Sequence, residues 1–471
     1  MRQSSLVVVA NRLPIDDGLA PDGACEWRRS PGGLVGALHP LLQHTPATWV
    51  GWAGGTGPAP KLADIDGVRM HSVPLSREDV RDHYEGFANS TLWPLYHDAV
   101  EQPVYHRRWW DAYQRVNQRF AEAAAEVAEP GAVVWVQDYH LQLVPGLLRA
   151  LRDDLRIGFF LHVPFPPPEL FMQLPRRAEL LLGMLGADLV GFQRAQAAHN
   201  FAQLATKVLQ LPATDRRIAV GDRVVRIGAF PVSIDMSEME ALAARPDVAR
   251  RARKLRGDLG DPQQVILSVD RMDYTKGIEQ RLKAYSELLA GGHVKVRDTV
   301  LVQVAVPSRE RVEQYQILRD RVEREVGRIN GEFGRVGEMA IHYLTQPFDR
   351  AELAALYRIA DVMAVTPLRD GMNLVAKEYV AARVDNTGAL VLSEFAGSAA
   401  EFTQAYLVNP HDLEGLKLTL MQALQATPAD IGERMRGMRE HLRTHDIRAW
   451  ARSYLTALDR TGDIANRLIA T

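Results

Sequence analysis

The chain has 471 residues, which is more than one hydrophobic core usually serves, so two domains are expected. Hydrophobic residues make up 46% and charged residues 24%, as in ordinary soluble globular proteins. The net charge of -2 lacks the basic excess of a general nucleic-acid or membrane-surface binder. The single cysteine, Cys25, excludes an internal disulfide framework and suits a reducing compartment.

The N-terminal stretch MRQSSLVVVANR is the first predicted element. Its apolar run is too short for the core of a signal peptide and predicts a buried first strand that ends at a polar site. No apolar run in the sequence is long enough to span a bilayer. We therefore expect a cytoplasmic protein.

Short apolar runs then alternate with amphipathic stretches of helical period. The first half contains the strand-like runs SLVVVAN, AVVWVQDYH, RIGFFLHVPF and DLVGFQ, and the helix-like segments WWDAYQRVNQRFAEAAAEVA and AELLLGMLGA. The second half contains the strand-like runs QVILSVDR, DTVLVQVAVP, MAIHYLTQ, DVMAVTPLRD and GALVLSEF. Continuous apolar strands separated by helices predict parallel sheets covered on both faces. The fold class is therefore α/β, with enough strands for two doubly wound sheets.

The domain boundary is predicted within residues 226–240. A proline-containing turn there precedes a charged helix, and a new strand begins near Gln264. We expect domains at 1–232 and 233–449, with a helix at 450–471 that can pack back on the first. Two Rossmann-like domains that face a central cleft bring their strand ends together, where ligands of open α/β sheets bind.

Polar side chains stand at the ends of the predicted strands. They are Asn11, Arg12, Asp138, Tyr139, His140, His162, Arg271, Asp273, Lys276, Arg309 and Asp370. Each alone could be a surface residue, but their shared location favours a binding site. Gly32 and Gly33 precede an amphipathic helix whose first N–H groups attract phosphate, although a plain helix-entry turn is an equal alternative.

The stretch TPLRDGMNLVAKEYV, residues 366–380, adds two carboxylates around a glycine. Arg271 and Lys276 flank a strand-to-helix turn, so both can reach one diphosphate. Asp370 can accept hydrogen bonds from a hexose and Glu378 from a ribose, while the backbone of GMNL faces phosphate or sugar. This interpretation puts Glu378 about two turns into the helix. The alternative makes Asp370 an N-terminal cap and Glu378 a solvated helix charge.

The sequence contains no motif typical of a metal site or of a serine hydrolase. The 14 histidines form no H-E-x-x-H or Cys/His cluster, so no zinc or other metal is expected. The absence of a G-x-S-x-G motif leaves a serine hydrolase without support.

The assembled motifs resemble those of the trehalose-6-phosphate synthase family, retaining glycosyltransferases of the GT-B fold. They are VVVANRLP, SPGGLVGAL, VGWAG, YEGFANSTLWPLYH, VWVQDYHLQLVP, IGFFLHVPFPPPE, VDRMDYTKG, GRINGEFG and VTPLRDGMNLVAKEYVA, in the family's order from residue 6 to beyond 410. The resemblance implies glucose transfer from a nucleoside diphosphate glucose to glucose 6-phosphate with retention, which gives α,α-trehalose 6-phosphate. It implies no metal and no cofactor.

The resemblance also implies residue roles. Arg271 and Lys276 would hold the donor diphosphate with the help of Gly32 and Gly33, and Asp370 and His162 would hold the transferred glucose. Further donor contacts would come from Phe348 beside the base and from Gly371, Met372, Asn373, Leu374, Val375, Ala376, Lys377 and Glu378, with Glu378 on the ribose. Acceptor contacts would come from Arg12, Tyr84, Trp93, Asp138 and Arg309. The leaving diphosphate would accept the proton of the incoming hydroxyl, so no enzymic nucleophile is needed.

Two alternatives stay open. Some relatives use another sugar-phosphate acceptor or join cyclitols as pseudo-glycosyltransferases, and a catalytically silent sugar-phosphate sensor belongs to a different functional class. Uridine, guanosine and adenosine donors all occur in the family. A homo-oligomer is expected, with neither a nucleic-acid nor a membrane partner.

Overall fold

A computed structural model of the chain describes residues 3–19, 25–29, 47–56, 62–65 and 68–459. The chain divides between Val232 and Ser233 into two compact units. The first unit comprises the chain up to Val232 together with the final helix, Ile447–Leu458, and the second unit is Ser233–Asp446.

The first unit is built on a large, mostly parallel sheet. Among the described residues, the strands of the first unit are β1 (Ser4–Arg12), β2 (Ile15–Leu19), β3 (Cys25–Arg29), β4 (Ala47–Trp52), β5 (Leu62–Ile65), β6 (Val68–Ser72), β7 (Ala128–Gln137), β8 (Arg156–Leu161), β9 (Leu189–Phe192), β10 (Ala213–Thr214), β11 (Arg217–Val220) and β12 (Arg223–Ala229). The sheet order is β10-β11-β12-β9-β8-β7-β1-β4-β6-β5. The strands from β12 to β6 in this order are parallel, whereas β10 and β11 at one edge and β5 at the other are antiparallel. The pair β2 and β3 forms a separate hairpin.

The helices of the first unit cover this sheet. Within the described ranges they are Arg77–Asp79, the π-helical segment Val80–Leu92, Trp93–Tyr96, Arg107–Val127, Val144–Leu151, Pro168–Phe171, Arg177–Met184, Ala195–Leu209 and Ile447–Leu458. Tyr454 of the final helix stacks on Trp135 of β7 with ring centroids 4.8 Å apart, and its hydroxyl donates to the Phe159 carbonyl of β8. The last helix is thereby fixed to the sheet of the first unit.

The second unit is a fully parallel six-stranded sheet in the order β15-β14-β13-β16-β17-β18. Its strands are β13 (Gln264–Arg271), β14 (Thr299–Val306), β15 (Ile341–Leu344), β16 (Val362–Val365), β17 (Ala389–Ser393) and β18 (Tyr406–Val408). Its helices are Met236–Ala244, Pro246–Asp258, Ile278–Ala290, Glu313–Phe333, Arg350–Ile359, Leu374–Ala382, Leu413–Gln425 and Pro428–Thr444. Consecutive residues such as Val265, Ile266 and Leu267 are all buried, since helices cover both faces. The prediction of parallel sheets from continuous apolar runs is confirmed.

Candidate active site

Aromatic rings connect two of the predicted acceptor residues in the first unit. Arg12 ends β1, and its guanidinium lies 4.7 Å above the ring centroid of Trp52, which ends β4. Trp52 meets Tyr84 edge to face at 5.8 Å, and Tyr84 stacks on His140 at 5.7 Å. The neighbouring parallel strands β1 and β4 end at the same edge of the sheet, which brings Arg12 and Trp52 together, and the Trp52 ring brings Tyr84 to the same place.

Gly54 makes this arrangement possible. Its backbone has φ +99°, a conformation that L side chains rarely adopt. A Cβ atom at this position would lie 2.1 Å from Nη2 of Arg12. Glycine is therefore required both by the backbone conformation and by the close approach of the guanidinium.

Trp93 and Tyr84 are placed by the π-helical segment Val80–Leu92. The Trp93 backbone N–H donates to the carbonyl of Ala88, five residues back, which is the hydrogen bond of a π-helix. The Trp93 ring lies 5.6 Å from the ring of Tyr139, whose hydroxyl donates to Asn89 at 2.7 Å. Both predicted acceptor residues thus contact the turn that follows β7.

Asp138 and His162 are held together at the ends of β7 and β8. Asp138 has φ 72°, an unusual value for an aspartate, and its Oδ1 accepts a hydrogen bond from the His162 backbone N–H at 3.1 Å. His162 Nε2 lies 2.9 Å from Oε1 of Gln137. Burial lowers the pKa of His162 to about 3, so its ring is neutral at physiological pH. A neutral imidazole can exchange hydrogen bonds with a sugar without adding charge.

Arg271, Lys276 and Asp370 come together in the second unit. Arg271 ends β13 with 47% of its side chain exposed, and Lys276 ends the short turn Tyr274–Lys276 that follows. Lys276 Nζ donates to Oδ2 of Asp370 at 2.6 Å. A predicted diphosphate cation and a predicted hexose carboxylate therefore form an ion pair.

The loop that carries Asp370 is held by hydrogen bonds of its side chains and of its backbone. Asn373, not Asp370, caps the helix Leu374–Ala382, since its side chain accepts from the Ala376 N–H. The Asn373 amide also donates to Asp370 at 3.1 Å, while the Met372 carbonyl accepts from Ser398 at 2.9 Å. The alternative in which Asp370 is a helix cap is therefore wrong.

Glu378 lies little more than one turn into this helix, because the helix begins at Leu374. The predicted position two turns in is wrong. Its Oε2 accepts from the Tyr357 hydroxyl at 2.8 Å, and burial raises the pKa of this carboxyl. Glu378 is therefore not a solvated helix charge. Phe348, predicted beside the base, is partly buried against the core of the same unit.

The side chain of Lys377, a predicted donor residue, is fully buried in a contact with another part of the second unit. Its Nζ donates to both carboxylate oxygens of Glu401, at 2.8 and 3.0 Å, and the side chain is 0% exposed. Burial lowers its pKa, while the Glu401 charge opposes this. A ligand contact from Lys377 would thus come from its backbone.

Several residues contact the predicted site residues although no role was predicted for them from the sequence. Trp52 and Gly54 belong to the motif VGWAG without an assigned role, and Asp273 is indicated only as a polar strand end. Tyr357 and Glu401 carry no sequence signal, because they lie 21 and 24 residues from the side chains they contact. Gly32 and Gly33, predicted at the diphosphate, lie outside the described residues.

The described residues contain neither a cluster of potential metal ligands nor a helix that could cross a membrane. No group of three or more His, Cys, Asp or Glu side chains in the described ranges is arranged to hold a metal ion. No helix within those ranges combines the length and apolar character that a membrane crossing requires.

Comparison with known proteins identifies close relatives. The family model of glycosyltransferase family 20 matches residues 4–460. A trehalose-6-phosphate synthase from Mycobacterium avium (strain 104) is 56% identical over 474 residues, which cover 98% of this chain and 96% of the relative.

Solved structures are similar over almost the whole chain. A UDP-forming α,α-trehalose-phosphate synthase from Burkholderia xenovorans in complex with glucose-6-phosphate is 34% identical with a TM-score of 0.88, covering 96% of this chain and 99% of that one. An E. coli structure bound with UDP-2-fluoro glucose is 36% identical with a TM-score of 0.88, covering 96% of this chain and 98% of that one. These similarities confirm the predicted α/β fold of the GT-B class.

Proposed function

Because this chain belongs to glycosyltransferase family 20, we propose that it transfers glucose from a nucleoside diphosphate glucose to glucose 6-phosphate. The product is α,α-trehalose 6-phosphate, formed with retention at the donor's anomeric carbon. We propose uridine as the base, supported by the UDP-forming relative and the E. coli structure bound with UDP-2-fluoro glucose.

The observation that carries this proposal is the contact of Lys276 with Asp370 beside Arg271 at the end of β13. Negative charge grows on the leaving diphosphate as the glycosidic bond breaks, and cations placed there lower the barrier. Asp370 next to the lysine offers an acceptor for hexose hydroxyls. Donor phosphate and donor sugar thus have adjacent partners, as an intact nucleotide sugar requires.

The acceptor contacts are proposed for Arg12, Tyr84, Trp93 and Asp138 of the first unit and for Arg309 of the second. Guanidinium groups match phosphate oxygens in geometry and charge, which suits a sugar phosphate. The glucose-6-phosphate complex of the Burkholderia xenovorans relative supports this acceptor. No protein nucleophile takes part, since the leaving diphosphate accepts the proton of the attacking hydroxyl.

The test is a donor and acceptor panel with purified protein. UDP-, GDP- and ADP-glucose are each combined with glucose 6-phosphate, fructose 6-phosphate and glucose, and products are identified by mass and by anomeric NMR couplings. The proposal expects α,α-linked trehalose 6-phosphate with UDP-glucose preferred. No turnover with any pair would favour the sensor, and a product from another acceptor would replace the proposed reaction.

A further inference from the structure

Asp273 lies at the centre of the cations in the second unit, and its carboxylate is completely buried. Oδ2 accepts hydrogen bonds from Nη1 of Arg309 at 2.8 Å and from the Tyr315 hydroxyl at 3.2 Å. Nη2 of Arg271 lies 3.9 Å from the same oxygen. One carboxylate oxygen therefore faces a proposed acceptor cation and a proposed donor cation.

The other oxygen holds the turn that carries Lys276. Oδ1 accepts from the backbone N–H of Thr275 at 3.1 Å and from its hydroxyl at 2.9 Å. The Lys276 N–H donates to the Asp273 carbonyl at 3.0 Å, closing the turn Tyr274–Lys276. Lys276 reaches Asp370 from this turn, so the position of its ammonium depends on the two bonds to Thr275.

Arg309 needs this support because its conformation is unusual. Its backbone has φ 50°, which is uncommon for a residue other than glycine and is maintained only by surrounding contacts. Its side chain is 5% exposed, and Nη1 contacts both Asp273 and the Tyr315 hydroxyl. An arginine held this way presents its guanidinium in one orientation.

The carboxylate is ionised throughout the physiological range. Burial opposes ionisation, but the charges of Arg309, Arg271 and Lys276 outweigh it and hold the pKa of Asp273 at about 2. The anion has two opposite effects on a phosphate ligand. It orients the cations, which favours binding, and it neutralises part of their charge, which weakens attraction for phosphate.

We propose that Asp273 is a positioning residue that aims Arg309 at the acceptor phosphate and fixes the turn that brings Lys276 to the donor diphosphate. This inference rests on the proposed function and adds one residue that serves both phosphate groups through other side chains. Asp273 itself contacts neither substrate.

The test is Asp273→Asn, because the amide keeps the size of the side chain and removes its charge. Its NH₂ group would face donors of Arg309 or of Thr275. The Michaelis constant for glucose 6-phosphate should rise about 10- to 100-fold, the range for a lost charged hydrogen bond. If Asp273 served only to neutralise charge, the same variant would bind glucose 6-phosphate more tightly. An unchanged or lowered constant overturns the proposal.

Asp270→Asn is the matched control. Asp270 lies on β13, just before the turn that carries Asp273. Its buried carboxylate holds Arg281 at 2.5 Å in a pair that contacts Gln303 and Thr366 instead of Arg309. It should lower thermal stability with little change in the Michaelis constant for glucose 6-phosphate. Equal changes of that constant in both variants would show a general loss of structure and overturn the proposal.

Combination with Arg309→Ala tests whether Asp273 acts through Arg309. In the Arg309→Ala background, adding Asp273→Asn should leave the Michaelis constant for glucose 6-phosphate unchanged. A further rise equal to that in the unaltered background would overturn the proposed route. If Asp273→Asn does not fold, Tyr315→Phe removes one contact from the same oxygen and should raise the constant by about 2- to 5-fold.

The two levels of proposal can fail separately. Failure of the unaltered protein to form trehalose 6-phosphate overturns the proposed function. Calorimetric titration with glucose 6-phosphate then still compares the Asp273→Asn and Asp270→Asn variants. Equal affinities in that titration overturn the positioning role.

Discussion

Gly54→Ala tests the proposed acceptor site directly, because the added methyl group would collide with the guanidinium of Arg12. The new Cβ would lie 2.1 Å from Nη2 and 2.5 Å from Cζ of Arg12, and the guanidinium is the flexible partner that must move. Movement removes the contact with Trp52, worth about 0.5–1 kcal/mol. It also removes the proposed phosphate contact, worth about 1.5–3 kcal/mol. The Michaelis constant for glucose 6-phosphate should therefore rise about 10- to 100-fold.

The backbone effect of the substitution has its own control. Alanine at a positive φ costs about 1–3 kcal/mol of stability wherever it is placed. Gly221, between β11 and β12, has φ +57° and no atom within 4 Å of an added Cβ. Gly221→Ala should lower the melting temperature without changing acceptor kinetics.

The assay measures initial rates with glucose 6-phosphate varied at saturating donor, together with thermal unfolding. Gly54→Ala should raise the Michaelis constant for glucose 6-phosphate, and Gly221→Ala should leave it unchanged. A Gly54→Ala enzyme with an unaltered constant and lowered stability would refute the assignment of Arg12 to the acceptor.

Two further predictions concern the second unit. Lys276→Ala and Arg271→Ala should each lower kcat about 10²- to 10³-fold, because each removes a cation from the proposed leaving group, and a near-normal kcat would reject that role. Glu401→Gln should destabilise the fold by about 3–5 kcal/mol, because it leaves the buried Lys377 ammonium without its carboxylate. Adding Lys377→Met should restore much of that stability in chemical denaturation, and no recovery would contradict the explanation.

The sequence predicted what depends on local pattern. Continuous apolar runs identify β13 and β14 as strands covered on both faces, and Arg271 stands where such a run ends. Helix starts are harder to place. The stretch DGMN offers two capping residues, and in the structure Asn373 is the cap while Asp370 pairs with Lys276, 94 residues earlier.

Contacts between residues that are distant in the chain could not be predicted from the sequence. Tyr357 and Glu378 lie on different helices, and their meeting depends on how both pack against the sheet. The π-helical hydrogen bonds of Val80–Leu92 are a departure from α-helical geometry that periodicity cannot separate from an ordinary helix. The side chains that orient the predicted residues were therefore harder to identify than those residues themselves.

The division of labour between Asp370 and Glu378 gives one more prediction, which combines binding and stability. Asp370→Asn weakens the partner of Lys276, whose charge stays available to a diphosphate, so affinity for free UDP should be kept or increased while glucose transfer falls.

Glu378→Gln should instead weaken the affinity for free UDP. An amide then replaces the carboxylate that is proposed to accept hydrogen bonds from both ribose hydroxyls. Burial raises the pKa of Glu378 above its usual 4.5, so the charged form costs stability above that pH, and the cost disappears at lower pH where the carboxyl is protonated in both states. The glutamine variant should therefore melt higher than the unaltered protein at pH 8, with a difference that shrinks towards pH 4.5. Calorimetry with UDP and melting curves across pH measure both effects. Glu378 loses its assigned role if its glutamine variant binds UDP normally, and Asp370 loses its own if the asparagine variant binds UDP as weakly as the glutamine variant.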